Sequence, residues 1–249
     1  MSLSFSNAQI VTLAAPYDSL DSDELGTRLI QMFQLKLAGY RDVYEYGVLP
    51  VDTYDFVSMH HLLGFGGDEG FRPVMAFRTI EVEKYNQHGL VFPGVAILQN
   101  SKAFRHAECL KSLLSEWTGQ RISYASSWTM APELRKNRDM RHFLRDMMVT
   151  MLINNELDQK SDHRLLCGVP KVLTDKLFER LGYARVAEKG EPLPPFEQAS
   201  LMGERAVLLH CTEFSAEALR IAAANREIWD RRRFLGVNSQ ISSFEKKAA

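Results

Sequence analysis

Apolar residues recur along the chain with two spacings, three-to-four and two, and their succession predicts a mixed order of helices and strands. Leu25, Leu29, Met32, Phe33 and Leu37 place a helix over 23–38, capped by Asp21 or Ser22 and ended by Gly39. Two strand-like runs follow, 56–65 and 72–82, and Gly66-Gly67-Asp68-Glu69-Gly70 between them reads as a hairpin loop. Helical spacing returns over 103–117, with Phe104, Ala107, Leu110, Leu114 and Trp117 on one face, and 121–130 reads as a strand closed by Pro132.

The longest predicted helix covers 139–157, with Met140, Phe143, Leu144, Met147, Met151 and Leu152 on one stripe. A short apolar strand, 164–169, is of the kind buried on both faces. A helix over 171–181 closes at Gly182, a residue suited to a left-handed C-cap. Then come a strand at 184–188, a loop over 189–196, a strand over 205–212 and a last helix over 215–234 with the basic end Arg231-Arg232-Arg233. The expected class is α/β (α+β): a central, mixed but mostly antiparallel sheet flanked by helices, with an added C-terminal strand and helix. One domain spanning 1–249 is expected, its core at about 23–188 and an extension at 189–249.

Composition narrows the classes. The chain has 249 residues, 45% of them apolar, and a net charge of −1, which excludes a disordered chain and argues against a generic, strongly basic nucleic-acid binder. Cys109, Cys167 and Cys211 are far apart, form no CxxC and sit in apolar contexts, so reduced, buried thiols are expected. The N-terminus lacks a basic leader segment, and no run approaches the ~20 apolar residues of a membrane span. A cytoplasmic protein is the simplest expectation. A glycine-loop pattern begun at Gly64 meets Glu69 where its third glycine belongs, and no helix follows. His60 and His61, as strand neighbours, point to opposite faces and do not share a metal ion. There is no HExxH and no GxSxG, and no metal site is expected.

The informative stretch is 123–186. SYASSWTM runs into APELRKNRD, a long helix, RLLCGVP and a helix ending FERLGYARV. This order resembles the GNAT acyltransferase superfamily, in which a bulged strand leads into a loop whose amides, at a helix N-terminus, hold the pyrophosphate of coenzyme A. The residues matching that loop are Met130, Ala131, Pro132, Glu133 and Arg135. The resemblance implies a donor site at Met130, Ala131, Arg135 and Arg138. Lys136, Asn137, Arg138 and Asp139 replace the loop's glycines, so Arg135 and Arg138 would supply charge-assisted bonds by side chain. Phe178 stands where many relatives carry a tyrosine that protonates the leaving thiolate.

The N-terminal half carries Arg28, Phe33 and Tyr40, then Val51-Asp52-Thr53-Tyr54-Asp55, then Phe77-Arg78-Thr79-Ile80. In this order it is similar to the acyl-homoserine-lactone synthases and N-acyl amino acid synthases. This branch implies transfer of a medium or long acyl chain from acyl carrier protein (through its phosphopantetheine) or from coenzyme A to the amine of an amino acid or peptide. No permanently bound cofactor is implied. Asp52 and Asp55 would face the amine, or serve as a capping pair, with Arg28 and Arg78 organising them. The Met130 amide would donate to the thioester oxygen. Glu133 is either a base or a helix-start charge, and Tyr124 either the leaving-group acid or core. Trp128, Phe77, Phe33 and the methionine stripe line an acyl tunnel or simply fill the core. Arg231–Arg233, Lys102, Arg105 and Lys111 either meet an acidic carrier protein or form a solvated face. Where lactone synthases read E-x-S-R-F-x-V, this chain has Tyr124, Ser126, Ser127, Trp128 and Met130, so the N-acyl amino acid branch fits better. The rivals are a lactone-type signal synthase and a non-catalytic acyl-thioester- or protein-binding module.

Overall fold

The computed structural model describes residues 7–19, 22–44, 51–66 and 70–236; Asp21 and the centre of the predicted hairpin loop, Gly67-Asp68-Glu69, lie outside them. In chain order the elements are β1 (Ala8–Leu13), α1 (Asp23–Val43), α2 (Tyr54–Val57), β2 (Met59–Phe65), β3 (Arg72–Glu81), α3 (Val82–Gln87), α4 (Pro93–Asn100), α5 (Phe104–Glu116) and β4 (Ile122–Met130). They continue as α6 (Arg138–Asp158), β5 (His163–Gly168), α7 (Thr174–Arg180), β6 (Ala184–Arg185), β7 (Ala187–Glu188), β8 (Glu191–Pro192), β9 (Phe196–Gln198), β10 (Glu204–Cys211), α8 (Ala216–Ala224), α9 (Arg226–Asp230) and β11 (Arg233–Leu235). Among the described residues nine strands form one sheet in the order β11-β1-β2-β3-β4-β5-β10-β6, with β9 also on β10, and only β4–β5 and β1–β11 pair in parallel. The predicted class, a mixed and mostly antiparallel sheet between helices, is the one observed.

Local chemistry accounts for the helix starts. Ser22 caps α1 by accepting from Leu25 N (3.4 Å), Asn137 caps α6 through Met140 N (3.0 Å), and Ser215 caps α8 through Ala218 N (3.2 Å). Gly39 does not end α1. The helix runs on to Val43, and Gly39 is buried where a Cβ would come within 2.2 Å of Thr129 Oγ1 on β4. The apolar stripe of α1 is accordingly rotated by about one residue from the predicted one: Leu25, Leu29, Met32, Leu35 and Lys36 are buried, and Phe33 and Leu37 only partly so.

Other expectations are corrected. The run from Phe56 begins as a helical turn, α2, because Asp52 and Asp55 take main-chain amides that a strand would need. The last predicted helix breaks at Asn225 into α8 and α9 and then becomes β11, which lies beside β1. β1, α3 and α4 were not predicted at all, and part of the 189–196 loop is a small hairpin arm, β8 on β7. Phe104 is 63% exposed rather than packed, and Cys167 is half-buried, while Cys109 and Cys211 are buried; all three are free. Strands from 189–249 enter the same sheet as those from 23–188, β10 lying beside β5.

The centre of the sheet carries the feature that organises the site. β4 pairs with β3 along its length, but the register shifts so that Ser127 and Trp128 face the single Phe77, and Ser127 takes φ +59°. This is a β-bulge. On its other side β4 pairs with β5 only over residues 122–125 against 163–166. From Ser126 onward the two parallel strands part, and the bulge lies at the fork.

Candidate functional site

Side chains alternate across β2, β3 and β4, and this sorts the polar residues onto two faces. On one face stand His60, Arg78, Tyr124 and Ser126; on the other stand His61, Phe77, Thr79 and Ser123. α1 and α2 bring Lys36, Asp52 and Asp55 to the first face. Arg78, 4% exposed, grips Asp52 with two bonds (Nη1–Oδ1 2.6 Å, Nη2–Oδ2 2.8 Å), reaches Asp55 Oδ1 at 2.7 Å, and donates through Nε to Ser126 Oγ at 3.0 Å. Asp55 is fully buried; it also accepts from Lys36 Nζ (2.7 Å) and from Asp52 N (3.0 Å). His60 Nε2 donates to the main-chain oxygen of Asp55 at 2.5 Å.

The electrostatics follow from this packing. Burial pushes the Asp55 carboxyl up, but Arg78 and Lys36 outweigh it and hold the group below the usual carboxylate range. Burial and neighbouring Arg78 lower Lys36 to about 8 against the pull of Asp55. Burial lowers His60 to about 4, so it is neutral. The carboxylates of Asp52 and Asp55 thus balance two buried cations, and Asp52, 49% exposed, is where the network meets solvent. Because Arg78 pairs with Ser126, that open end sits beside the bulge at Ser127.

Asp52, Asp55 and Arg78 are therefore brought together. Arg28 is not among them: it lies over the Phe71 ring (5.1 Å) and bonds Gln31 and the Phe71 carbonyl. Phe33 packs edge-on to Phe56 (6.1 Å). Trp128 stacks on Phe77 (4.0 Å) and tilts against Phe178 (5.6 Å), its indole Nε1 buried without a partner. Ala131 N donates to Val74 O, and by the alternation of an antiparallel ladder the Met130 amide is directed away from β3, toward the fork. Tyr124 is buried with its hydroxyl on Cys167 Sγ (3.5 Å), and burial raises it well above a free phenol. Glu133 is exposed and paired with Arg72. Arg135 is committed to Asp42 (2.7 Å) and to the carbonyls of Gly39 and Met130 (2.9 Å each), so it ties α1 to the end of β4. Arg138 stands exposed at the first position of α6. Of the basic residues set aside for a carrier, Arg105 pairs with Glu188, Lys111 with Glu108, Arg231 with Glu227, and Arg233 with Glu24; Arg232 lies over Trp229 and bonds Asp158.

The sequence reading missed Lys36, although its signal was present. It lies four residues after Met32 on the buried stripe, and a lysine there requires an anion. Among the described residues no cluster of His, Cys, Asp or Glu is placed to hold a metal ion, and no helix is long and apolar enough to cross a membrane.

A solved structure shares this fold. BjaI, a CoA-dependent acyl-homoserine lactone synthase solved with SAM and isopentyl-CoA, superposes with a TM-score of 0.53 at 13% identity, over 93% of this chain and 95% of that one. The chain has the GNAT-like fold. FeeM, an N-acyl amino acid synthase from uncultured soil microbes, matches with a TM-score of 0.49 at 11% identity over 82% and 91% of the two chains. No protein-family model and no curated protein matches the sequence. In this GNAT-like fold the Asp52–Arg78–Asp55 network and the bulge at Ser127 occupy the same end of the β4–β5 fork.

Proposed function

We propose that the protein is an N-acyltransferase that moves a medium or long acyl group from a coenzyme A or acyl carrier protein thioester to the amine of an amino acid or peptide. The observation that carries this reading is the solvent-facing Asp52 carboxylate, locked by buried Arg78 next to the bulge. BjaI, which shares the fold and was solved with isopentyl-CoA and SAM, supports a thioester donor.

In this reading Asp52 accepts hydrogen bonds from the acceptor amine and orients its lone pair toward the thioester carbonyl. Arg78, bonded to Ser126 on β4, fixes the carboxylate against the bulge, which is the pre-organisation that acyl transfer rewards. The Met130 amide donates to the oxyanion as the C–N bond forms and the C–S bond breaks. Exposed Arg138 and the first amides of α6 take the donor's phosphates. Tyr124 and Glu133 drop out as acid and base, since one is held on Cys167 inside the core and the other on Arg72 at the surface. The amine nitrogen gives up its proton to water at the solvent-facing side of Asp52, and the thiolate leaves without an acid because free thiols ionise near pH 8.5.

A second reading, an acyl-thioester-binding module without turnover, is favoured by the engagement of Tyr124, Glu133 and Arg135 in the protein's own contacts. Incubating the folded protein with acyl-CoA and acyl carrier thioesters of several lengths and pooled amino acids separates the two. N-acyl product by mass spectrometry supports transfer; donor binding without product supports the module.

A further inference from the structure

A cavity of about 420 Å³ opens at the other end of β4 from the fork, between α3 and the C-terminal end of α5. Its walls come from Val82, Tyr85 and Asn86 of α3, from Leu114, Ser115 and Trp117 at the end of α5, and from the turn that leads into β4. Ile122 lines it and starts β4, five residues before the bulge at Ser127, so the cavity is ~17 Å along the strand from the proposed reaction site. Its volume is in the range of small-molecule sites.

Two features define what it can hold. First, none of its lining residues is charged, so the lining has no cation to neutralise a phosphate or carboxylate, and a donor thioester's pyrophosphate finds no partner in it. Second, it is built around a pre-stacked indole. Trp117 lies on His163 at 3.9 Å with planes 8° apart and on His210 at 4.6 Å, and these imidazoles are hydrogen-bonded to each other at 3.0 Å. Neither histidine lines the cavity, so the indole meets it with surface the imidazoles leave uncovered. His163 also bonds Gln120 Oε1 at 2.7 Å, which fixes the Gln120 side chain at the rim and leaves its amide N–H groups to donate. Exposed Asn86 adds an amide group, and Ser115, whose hydroxyl donates to the Lys111 carbonyl at 3.0 Å, adds an acceptor oxygen.

We propose that this cavity is a second ligand site, separate from the acyl-transfer site, for a neutral, planar heteroaromatic ring with a hydrogen-bonding edge, of the nucleobase type. The ring stacks on Trp117 and its edge is read by Asn86, Ser115 and Gln120. A rigid ring, held by His163 and His210, pays little ordering cost when a second ring joins it.

Adenine is the test ligand, titrated into the full chain by calorimetry, with adenosine monophosphate as the charged comparison. The site predicts saturable adenine binding, weaker binding of the monophosphate, and about a tenfold loss for Trp117→Ala, the scale of one lost base–aromatic stack. Trp117→Phe keeps a stacking ring and retains most of the affinity, while Ser115→Phe, on the exposed helix end, blocks the cavity without touching the stack. No saturable adenine binding to folded protein at millimolar concentration overturns the proposal. So does equal binding by the wild type and the Ser115→Phe variant.

Discussion

Asp52 and Asp55 are three residues apart and chemically identical, yet their surroundings give them different work. Asp55 is sealed between Lys36 and Arg78, whereas Asp52 shares Arg78 but keeps half its surface in water. Asp55→Ala leaves Lys36 buried without an anion, and the expected loss is about 3–5 kcal/mol of unfolding free energy, read as a lower urea midpoint. Asp52→Asn leaves Asp55 to both cations and costs far less. At this scale the sequence was half legible. Arg78 in MAFRTIE announced a buried charge that needed a partner, and the aspartates were near enough in pattern to supply it. Arg28 and Glu133 looked similar on paper but point to Phe71 and Arg72, because nothing in a sequence says toward which neighbour a long side chain turns.

Among the elements, α1 carries the site's geometry, since it brings Lys36 beneath Asp55 and lays Gly39 on β4. Gly39→Ala places a methyl group against Thr129 Oγ1 and the Met130 carbonyl. Overpacking of this kind costs about 1–3 kcal/mol, and here it also pushes α1 away from the bulge. The expected result is a lower melting temperature together with a slower rate of the proposed acyl transfer in the surviving folded protein. Glycine after an apolar run reads as a helix stop, and that rule failed here because close helix–strand approach calls for the same residue. The rule held at Gly182, where φ is +107° and the chain leaves α7. Long periodic helices such as α5 and α6 were legible for the same reason that short ones were not: α2 and α3 have four and six residues, too few to show a period. β1 and β11 were hidden because their partners lie far off in sequence, and an edge strand of three residues carries no pattern of its own.

For the molecule as a whole, the fold follows from the order of elements, and the net charge of −1 conceals buried charge at its centre. Its pH response follows from groups buried in their neutral form. His60 and His210 each fall to about 4 through burial, against 6.5 when free. Between pH 6.5 and 4 these two imidazoles bind more protons in the unfolded chain than in the native one, so their contribution to stability is full above pH 6.5 and is lost as the pH falls toward 4. Below that, the lowered Asp55 carboxyl adds its own loss once the pH drops through its native value. Urea midpoints at a series of pH values check this, and His60→Gln flattens the upper part of the decline. The reaction itself is the larger claim, and it rests on Asp52 at the fork. The most direct measurement is N-acyl product formation, by mass spectrometry, from acyl thioesters and pooled amino acids with wild-type protein and Asp52→Asn at matched melting temperature. The account predicts product from the wild type and a loss of at least about a hundredfold in the variant, the scale of one precisely held catalytic contact. Equal turnover by the two proteins, or no product from any donor with folded wild type, would contradict it.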